Sequence, residues 1–324
     1  MTQAVLGIDV GKSKLHVCLL LPLGKSRAKS IDNTSCGHTQ LLEWLQHCGM
    51  ERVHACMEST GIYGNEVAEV LYAHGHTVSI VNPARVKGFA TSEMVRTKTD
   101  KVDAGVIARF CAALKPAPWQ PPAPQMKQLQ ALVRRLESLQ QMHRQESNRL
   151  EAASAEAVRA SIQTLVTHLE TDMETIRQAI RDHMDQHPDL KQQQDLLMSI
   201  PGIAETTATA ILAEIQSWQM FENARQLAAF VGLTPRERLS GTSVRGRPQI
   251  SRTGSNRLRK TLYFPALVAK RHNPLIKAFC ARLEGRGKRK MQIVAAAMRK
   301  LVHLVYGVLK SGKPFDPEYA KAGT

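Results

Sequence analysis

Apolar residues fall into short runs early in this chain and into three–four spacings further on. Residues 4–10, Ala4-Val5-Leu6-Gly7-Ile8-Asp9-Val10, form a nearly continuous apolar run and predict a buried strand. Residues 14–21 predict its neighbour, alternating at first through Leu15 and Val17, with Gly11-Lys12-Ser13 as the tight turn between them. A third strand over 26–32 would lie at an edge. Leu41, Leu42, Trp44 and Leu45 then repeat at helical spacing over 39–48, with His38 or Thr39 near the helix start. A strand over 53–57, a helix over 64–74, a strand over 76–81, a helix opened by Pro83 and a helix over 101–114 follow. Strands succeeded by alternating helices and strands predict an α/β sandwich with a mixed sheet.

The pattern breaks at Lys115-Pro116-Ala117-Pro118-Trp119-Gln120-Pro121-Pro122-Ala123-Pro124, where five prolines in ten residues predict a stiff, extended linker. Beyond it Leu129, Leu132, Leu136, Leu139, His143 and Leu150 keep a three–four spacing, as do Ile162, Leu165, Leu169, Met173, Ile176, Ile180 and Met184. Two long helices with narrow apolar seams predict an antiparallel coiled coil, its seam filled either within one chain or by a second copy. Near Leu196 a third segment begins. Ile200-Pro201-Gly202-Ile203-Ala204 and the apolar run after it have the shape of a helix-hairpin-helix. Such a glycine turn offers backbone N–H groups at a helix N-terminus to a phosphate, although Ala204 stands where the second glycine is usual. The expected organisation is α/β plus all-α. Residues 1–115 form a mixed-sheet domain, 116–190 the proline-rich linker and coiled-coil helices, and 191–324 a mainly helical, basic domain.

Composition narrows the class. A hydrophobic fraction of 43% with 22% charged residues is that of a soluble globular protein. No apolar run approaches the roughly 20 residues of a membrane span, and no signal-like segment precedes the first strand. Six scattered cysteines without a C-x-x-C pair speak against a zinc site or a disulfide framework and fit a reducing cytoplasm. Charge is informative once it is divided. Residues 1–231 hold 23 Lys+Arg against 24 Asp+Glu, a net of −1, whereas residues 232–324 hold 21 against 4, a net of +17; together they make the chain's +16. An excess confined to the last 93 residues and interleaved with Leu258, Leu262, Tyr263, Phe264 and Leu267 describes a folded, polyanion-binding domain, with nucleic acid as the partner.

Four acids are the candidate chemistry. Asp9 and Glu58 each end an apolar strand-like run, and Asp100 and Asp103 lie three apart where a helix begins. Carboxylates at strand ends and on one helical turn can converge, and hard oxygen donors suit Mg²⁺. Two metals about 3.5–4 Å apart can assist both the attacking and the leaving oxygen of a phosphodiester. A second constellation runs from Gly232 to Lys260 and combines glycine, serine and arginine. Its Arg236, Arg238, Arg245, Arg247 and Arg252 are candidates for clamping a phosphate, and Arg257, Arg259 and Lys260 open a basic helix over 256–271 able to lie along a groove. On composition alone this loop positions phosphate and contains no nucleophile.

Taken together, these segments resemble the DEDD insertion-sequence transposases, the bridge-RNA-guided recombinases. The resemblance rests on the Gly7-Ile8-Asp9 strand, Met57-Glu58-Ser59-Thr60-Gly61, Asn82-Pro83-Ala84 and Lys98-Thr99-Asp100-Lys101-Val102-Asp103-Ala104. It continues through Ile200-Pro201-Gly202-Ile203, Ala229-Phe230-Val231-Gly232-Leu233-Thr234-Pro235, Ser240-Gly241 and Tyr306-Gly307-Val308-Leu309-Lys310, so it covers nearly the whole chain. It implies an RNase H-like (RuvC-like) first domain with Asp9, Glu58, Asp100 and Asp103 as Mg²⁺ ligands. It also implies a C-terminal transposase domain whose Ser240 forms a phosphoserine bond to DNA, with the acids of one subunit working beside the serine of another. Donor and target double-stranded DNA would be chosen by a structured non-coding (bridge) RNA, and strand exchange would need a homo-oligomer, a dimer assembling to a tetramer, in the bacterial cytoplasm on the nucleoid. Ser243, Ser251 and Ser255 are rival nucleophiles. Two other readings stand beside this one: a Holliday-junction-type, metal-dependent, structure-selective endonuclease that uses water, and a non-enzymatic nucleic-acid-binding protein.

Overall fold

Three strands, β1 (Val5–Val10), β2 (Lys14–Leu20) and β3 (Ser26–Asp32), form an antiparallel meander. After α1 (Ser35–His47) the chain crosses over, and β4 (His54–Glu58), α2 (Asn65–Ala73) and β5 (Thr77–Val81) add two parallel strands beyond β1. The sheet order is β3-β2-β1-β4-β5. An antiparallel half joined to a parallel half through a central first strand is the mixed sheet that the residue pattern predicts, in the RNase H-like order that the family resemblance implies. The computed structural model describes residues 4–22, 24–59, 61–94, 99–236, 239–240, 244–245, 249–251 and 253–318, with the backbone alone at 239, 240, 244 and 245. By density of contact the chain divides into Met1–Pro121 and Pro122–Thr324, and the division falls inside the proline-rich segment.

β1 is apolar throughout because it is covered on both faces. Leu6 and Ile8 are fully buried in a cluster with Leu41 and Leu45 of α1 and Val67 and Leu71 of α2. Val5 turns to the other face, towards Phe110 and Ile107 of α4 (Asp100–Leu114), which with α3 (Pro83–Ser92) completes the unit. Gly7 lies where α4 crosses the strand: a Cβ built there would stand 2.2 Å from the carbonyl oxygen of Ala104 and 2.4 Å from the amide of Ala108. Backbone cannot yield as a flexible side chain can. Gly7→Ala is therefore expected to destabilise the protein by about 3 kcal/mol, read as a lowered urea midpoint for the unfolding of this unit.

α1 begins earlier than its apolar spacing predicts. Thr34 caps it by accepting from the Gly37 amide, and Gly37 lies so close to the Asp32 carbonyl that a Cβ would meet it at 1.9 Å. A glycine demanded by close approach removed the apolar signal from the first turn.

In the second unit α5 (Pro124–Ala152) and α6 (Glu156–Asp185) are joined by a short link and pack as an antiparallel pair whose seam is filled within one chain. Leu165, expected in that seam, is 41% exposed, and Val166 is buried in its place. The helical rotation explains this: at about 100° per residue Val166 lies about 20° from Met173, and Leu165 about 80° away. The pair shares its core with α7 (Pro188–Met198), α8 (Glu205–Ile215), α9 (Ala224–Val231), α10 (Asn256–His272), α11 (Pro274–Gly285) and α12 (Lys290–Ser311). α12 is long and apolar enough by composition to cross a membrane, but Ala297, Leu301, Val302 and Val305 are buried and it is the central core helix of this unit. Two short hairpin pairings lie between α9 and α10. One joins β6 (Pro235–Arg236) to β9 (Gln249–Ile250), and the other joins β7 (Leu239–Ser240) to β8 (Val244–Arg245). The turn between α7 and α8 is pressed onto α10. Gly202 has φ 110°, and a Cβ there would meet Ala269 and the Pro265 carbonyl at under 3 Å.

Both units carry histidines whose pKa burial pulls below the ordinary imidazole value: His38 and His76 in the first, His183 and His303 in the second. The unfolded chain therefore takes up protons at a higher pH than the folded one. Stability contributed by these groups is complete above about pH 6.5 and is lost as the pH falls. Melting temperatures recorded from pH 7.5 down to 5 are expected to drop by several degrees, and His38→Gln or His183→Gln should flatten the decline.

Candidate active site

The register of β1 and β4 brings the first two acids together. Their parallel pairing runs to Ile8↔Met57, and the next residue on each strand is Asp9 and Glu58. Side chains alternate along a strand, so these two share the face of Val5 and Gly7, which α4 covers. Thr99 caps α4, accepting from the amide of Val102, and Asp100 and Asp103 occupy the first turn, where carboxylates are favoured by the helix dipole. Ala104 and Ala108 lie over Gly7, so the acidic first turn points to the strand ends where Asp9 and Glu58 lie. A direct contact confirms the placement: His16, paired with Asp9 across β1 and β2, has its Nε2 3.2 Å from Oδ2 of Asp100. Sequence spacing alone gave no sign of His16, which reads there as one position in an alternating strand. Asp9, Glu58 and Asp103 are half-buried and Asp100 is exposed. Among the described residues no group of three or more His, Cys, Asp or Glu side chains stands close enough to hold a metal ion. The four acids share one sheet edge without forming a closed cage.

The second unit holds the remaining candidates. Ser240 is the last residue of β7 and pairs through its backbone with Val244. Arg245 lies in β8. Arg238, Arg247, Arg252 and the rival Ser243 lie outside the described residues, as do the side chains of Ser240 and Arg245. Ser255 has a structural role. Its hydroxyl accepts from the Leu258 amide as the cap of α10 and donates to Oε1 of Glu214 at 3.1 Å, with Arg134 3.7 Å from the other oxygen of that carboxylate. Arg236 and Lys260 are exposed, and Arg257 is paired with Glu137. Arg259 donates to the carbonyl of Val231 at 2.9 Å and so ties the start of α10 to the end of α9. Arg299, which the sequence did not single out, donates to the Leu233 carbonyl at the entrance to this hairpin region.

A mixed sheet of RNase H-like order with acids at the ends of two neighbouring strands is followed in the same chain by a basic helical unit. A family model described as the IS116/IS110/IS902 transposase family matches residues 194–281, and the DEDD transposase model of the IS110 group matches residues 6–157. The pilin gene-inverting protein of Moraxella bovis is 32% identical over 319 residues, 98% of each chain, and its namesake from Moraxella lacunata is equally similar. The putative transposase y4rJ of Sinorhizobium fredii is 25% identical over 301 residues. Among solved structures, Thermus thermophilus RuvC aligns with a TM-score of 0.28 at 18% identity, over 36% of this chain and 99% of that one. The chain belongs to the IS110 family of transposases, DNA-recombining enzymes with a DEDD domain. Enzymes of the DEDD type use divalent metal ions.

Proposed function

We propose that this transposase is an RNA-guided recombinase that excises and inserts an insertion sequence through a phosphoserine intermediate. The observation that carries the reading is the gathering of Asp9, Glu58, Asp100 and Asp103 at one sheet edge of a chain whose other unit holds a serine within an arginine-rich hairpin. The donor set fits Mg²⁺, since all four groups are hard carboxylate oxygens. When bound, the ion would neutralise charge on the scissile phosphate. Ser240 attacks the phosphorus through Oγ, the bond to the sugar oxygen breaks, and the chain is left joined to one DNA end while the other carries a free hydroxyl. The full-length Moraxella relatives are named for inverting a gene, and inversion requires that cut strands be rejoined. A covalent serine linkage keeps the phosphodiester energy needed for that, whereas attack by water discards it.

Arg236, Arg238, Arg245, Arg247, Arg252, Arg257, Arg259 and Lys260 are proposed to hold the DNA and RNA backbones, with a structured non-coding RNA pairing to donor and target. The active assembly is a dimer that joins a second dimer, working in the cytoplasm on the nucleoid. The test is covalent trapping. Protein, Mg²⁺, matched DNA and RNA transcribed from the ends of the element are combined, denatured and examined for protein–DNA adducts. A denaturation-resistant adduct is expected; cleavage without any adduct would transfer the protein to the hydrolytic, junction-cleaving class.

A further inference from the structure

Two loops leave the acidic edge, one after Asp9 and one after Glu58, and a single side chain ties them together. Asn33, just past the end of β3, donates from Nδ2 to the carbonyl of Gly11 and to the carbonyl of Tyr63, each at 3.0 Å. Its own amide donates to the Ser13 carbonyl at 2.9 Å. Gly11 lies two residues beyond Asp9, and Tyr63 five beyond Glu58. With both amide hydrogens given to carbonyls, Oδ1 is left as an acceptor, and Nε2 of His38 donates to it at 2.9 Å. Burial pulls the His38 pKa below the ordinary imidazole value, and a neutral ring that donates from Nε2 is bare on Nδ1. The bare nitrogen is buried without a hydrogen-bond partner, 3.8 Å from the Glu66 carboxylate. His38 is 1% exposed, so the ring cannot turn to water, and its remaining freedom is taken up by Asn33.

We infer that Asn33 is a positioning residue for the acidic site, with His38 fixing the orientation of its amide. Like charges on neighbouring strands repel, and the ends of β1 and β4 carry a carboxylate each. Asn33 holds the two following loops at a set separation and so opposes splaying of Asp9 from Glu58 before any cation arrives. The inference rests on the reading of these acids as metal ligands. It predicts a residue that touches neither metal nor DNA yet sets the affinity for the metal.

The probe is Mn²⁺, titrated into the full-length protein and followed by the electron paramagnetic resonance signal of the free ion, with thermal melting in parallel. Asn33→Leu keeps the side-chain shape and removes both donors. It is expected to raise the half-saturating Mn²⁺ concentration about tenfold, the equivalent of about 1.4 kcal/mol, with cleavage recovering when metal is in excess. His38→Leu is expected to give a smaller shift, about threefold, and His38→Gln, which can still donate to Asn33, to stay near the wild type. A lowered melting temperature with unchanged Mn²⁺ affinity in Asn33→Leu would overturn the inference and leave Asn33 a purely structural residue. If Asn33→Leu does not fold, equal Mn²⁺ affinity in His38→Leu and His38→Gln would overturn it. Asp9→Asn separates the two layers: if it binds Mn²⁺ as the wild type does, the metal reading itself fails.

Discussion

Asp9→Asn is expected to slow metal-dependent DNA strand cleavage at least about a thousandfold, which corresponds to about 4 kcal/mol of lost transition-state stabilisation. Asparagine preserves the size of the side chain and the pairing of β1 with β2 and β4, so the sheet should remain. What disappears is the anionic oxygen at the centre of the edge, flanked by Glu58 on one strand and by the His16–Asp100 contact on the other. A hard cation depends on anionic oxygen donors, and an amide oxygen is a weak replacement. DNA affinity at fixed salt should change by less than about threefold, because the net positive charge of the chain is confined to the last 93 residues, away from Asp9 in the sequence. Nicking of end-labelled DNA together with a gel-shift titration measures both quantities. Unimpaired nicking would remove these acids from the chemistry.

Ser240→Ala is expected to abolish the covalent adduct and to reduce strand exchange by about ten-thousandfold or more, the scale seen when a nucleophile is deleted. The backbone pairing of Ser240 with Val244 does not use the hydroxyl, so the hairpin should survive the change. Ser255→Ala provides the contrast. Its hydroxyl caps α10 and meets Glu214, so its loss should lower stability by about 1 kcal/mol and leave adduct formation intact. Denaturing gels of the trapped complex and chemical unfolding of the free variants distinguish the two serines. An adduct that persists in Ser240→Ala would move the nucleophile elsewhere, with Ser243 first in line.

The first unit was legible to the extent that its signals are local. β1 announces itself by an apolar run because it is covered on both faces, and α4 by a capped, acidic first turn. The acids could be selected from their positions at the ends of such elements. What could not be read was any residue whose role depends on distant partners. Asn33 looks like a turn residue after a strand, yet its amide spans 22 residues back to Gly11 and 30 forward to Tyr63. His16 is one alternating position in a strand until the sheet sets it beside Asp9 and the helix brings Asp100 to it. In the second unit, Leu165 and Val166 show the limit of spacing arguments, since one residue of helical rotation exchanged seam and surface. Arg259 shows what composition leaves out: the sequence offers it as a phosphate ligand, and the fold also has its Nη1 donate to the Val231 carbonyl.

The core of the second unit has an order in time as well as in space. Met126 and Leu129, near its start, share one apolar cluster with Leu301 and Leu309 in its last helix. That cluster cannot close until α12 has been made, whereas the sheet, α1 to α4 and both of their apolar layers are complete by residue 121. At bacterial elongation rates, residues 122–311 take on the order of ten to forty seconds to synthesise. During that interval the first unit is complete while the second, which carries the chain's net positive charge, is still being made.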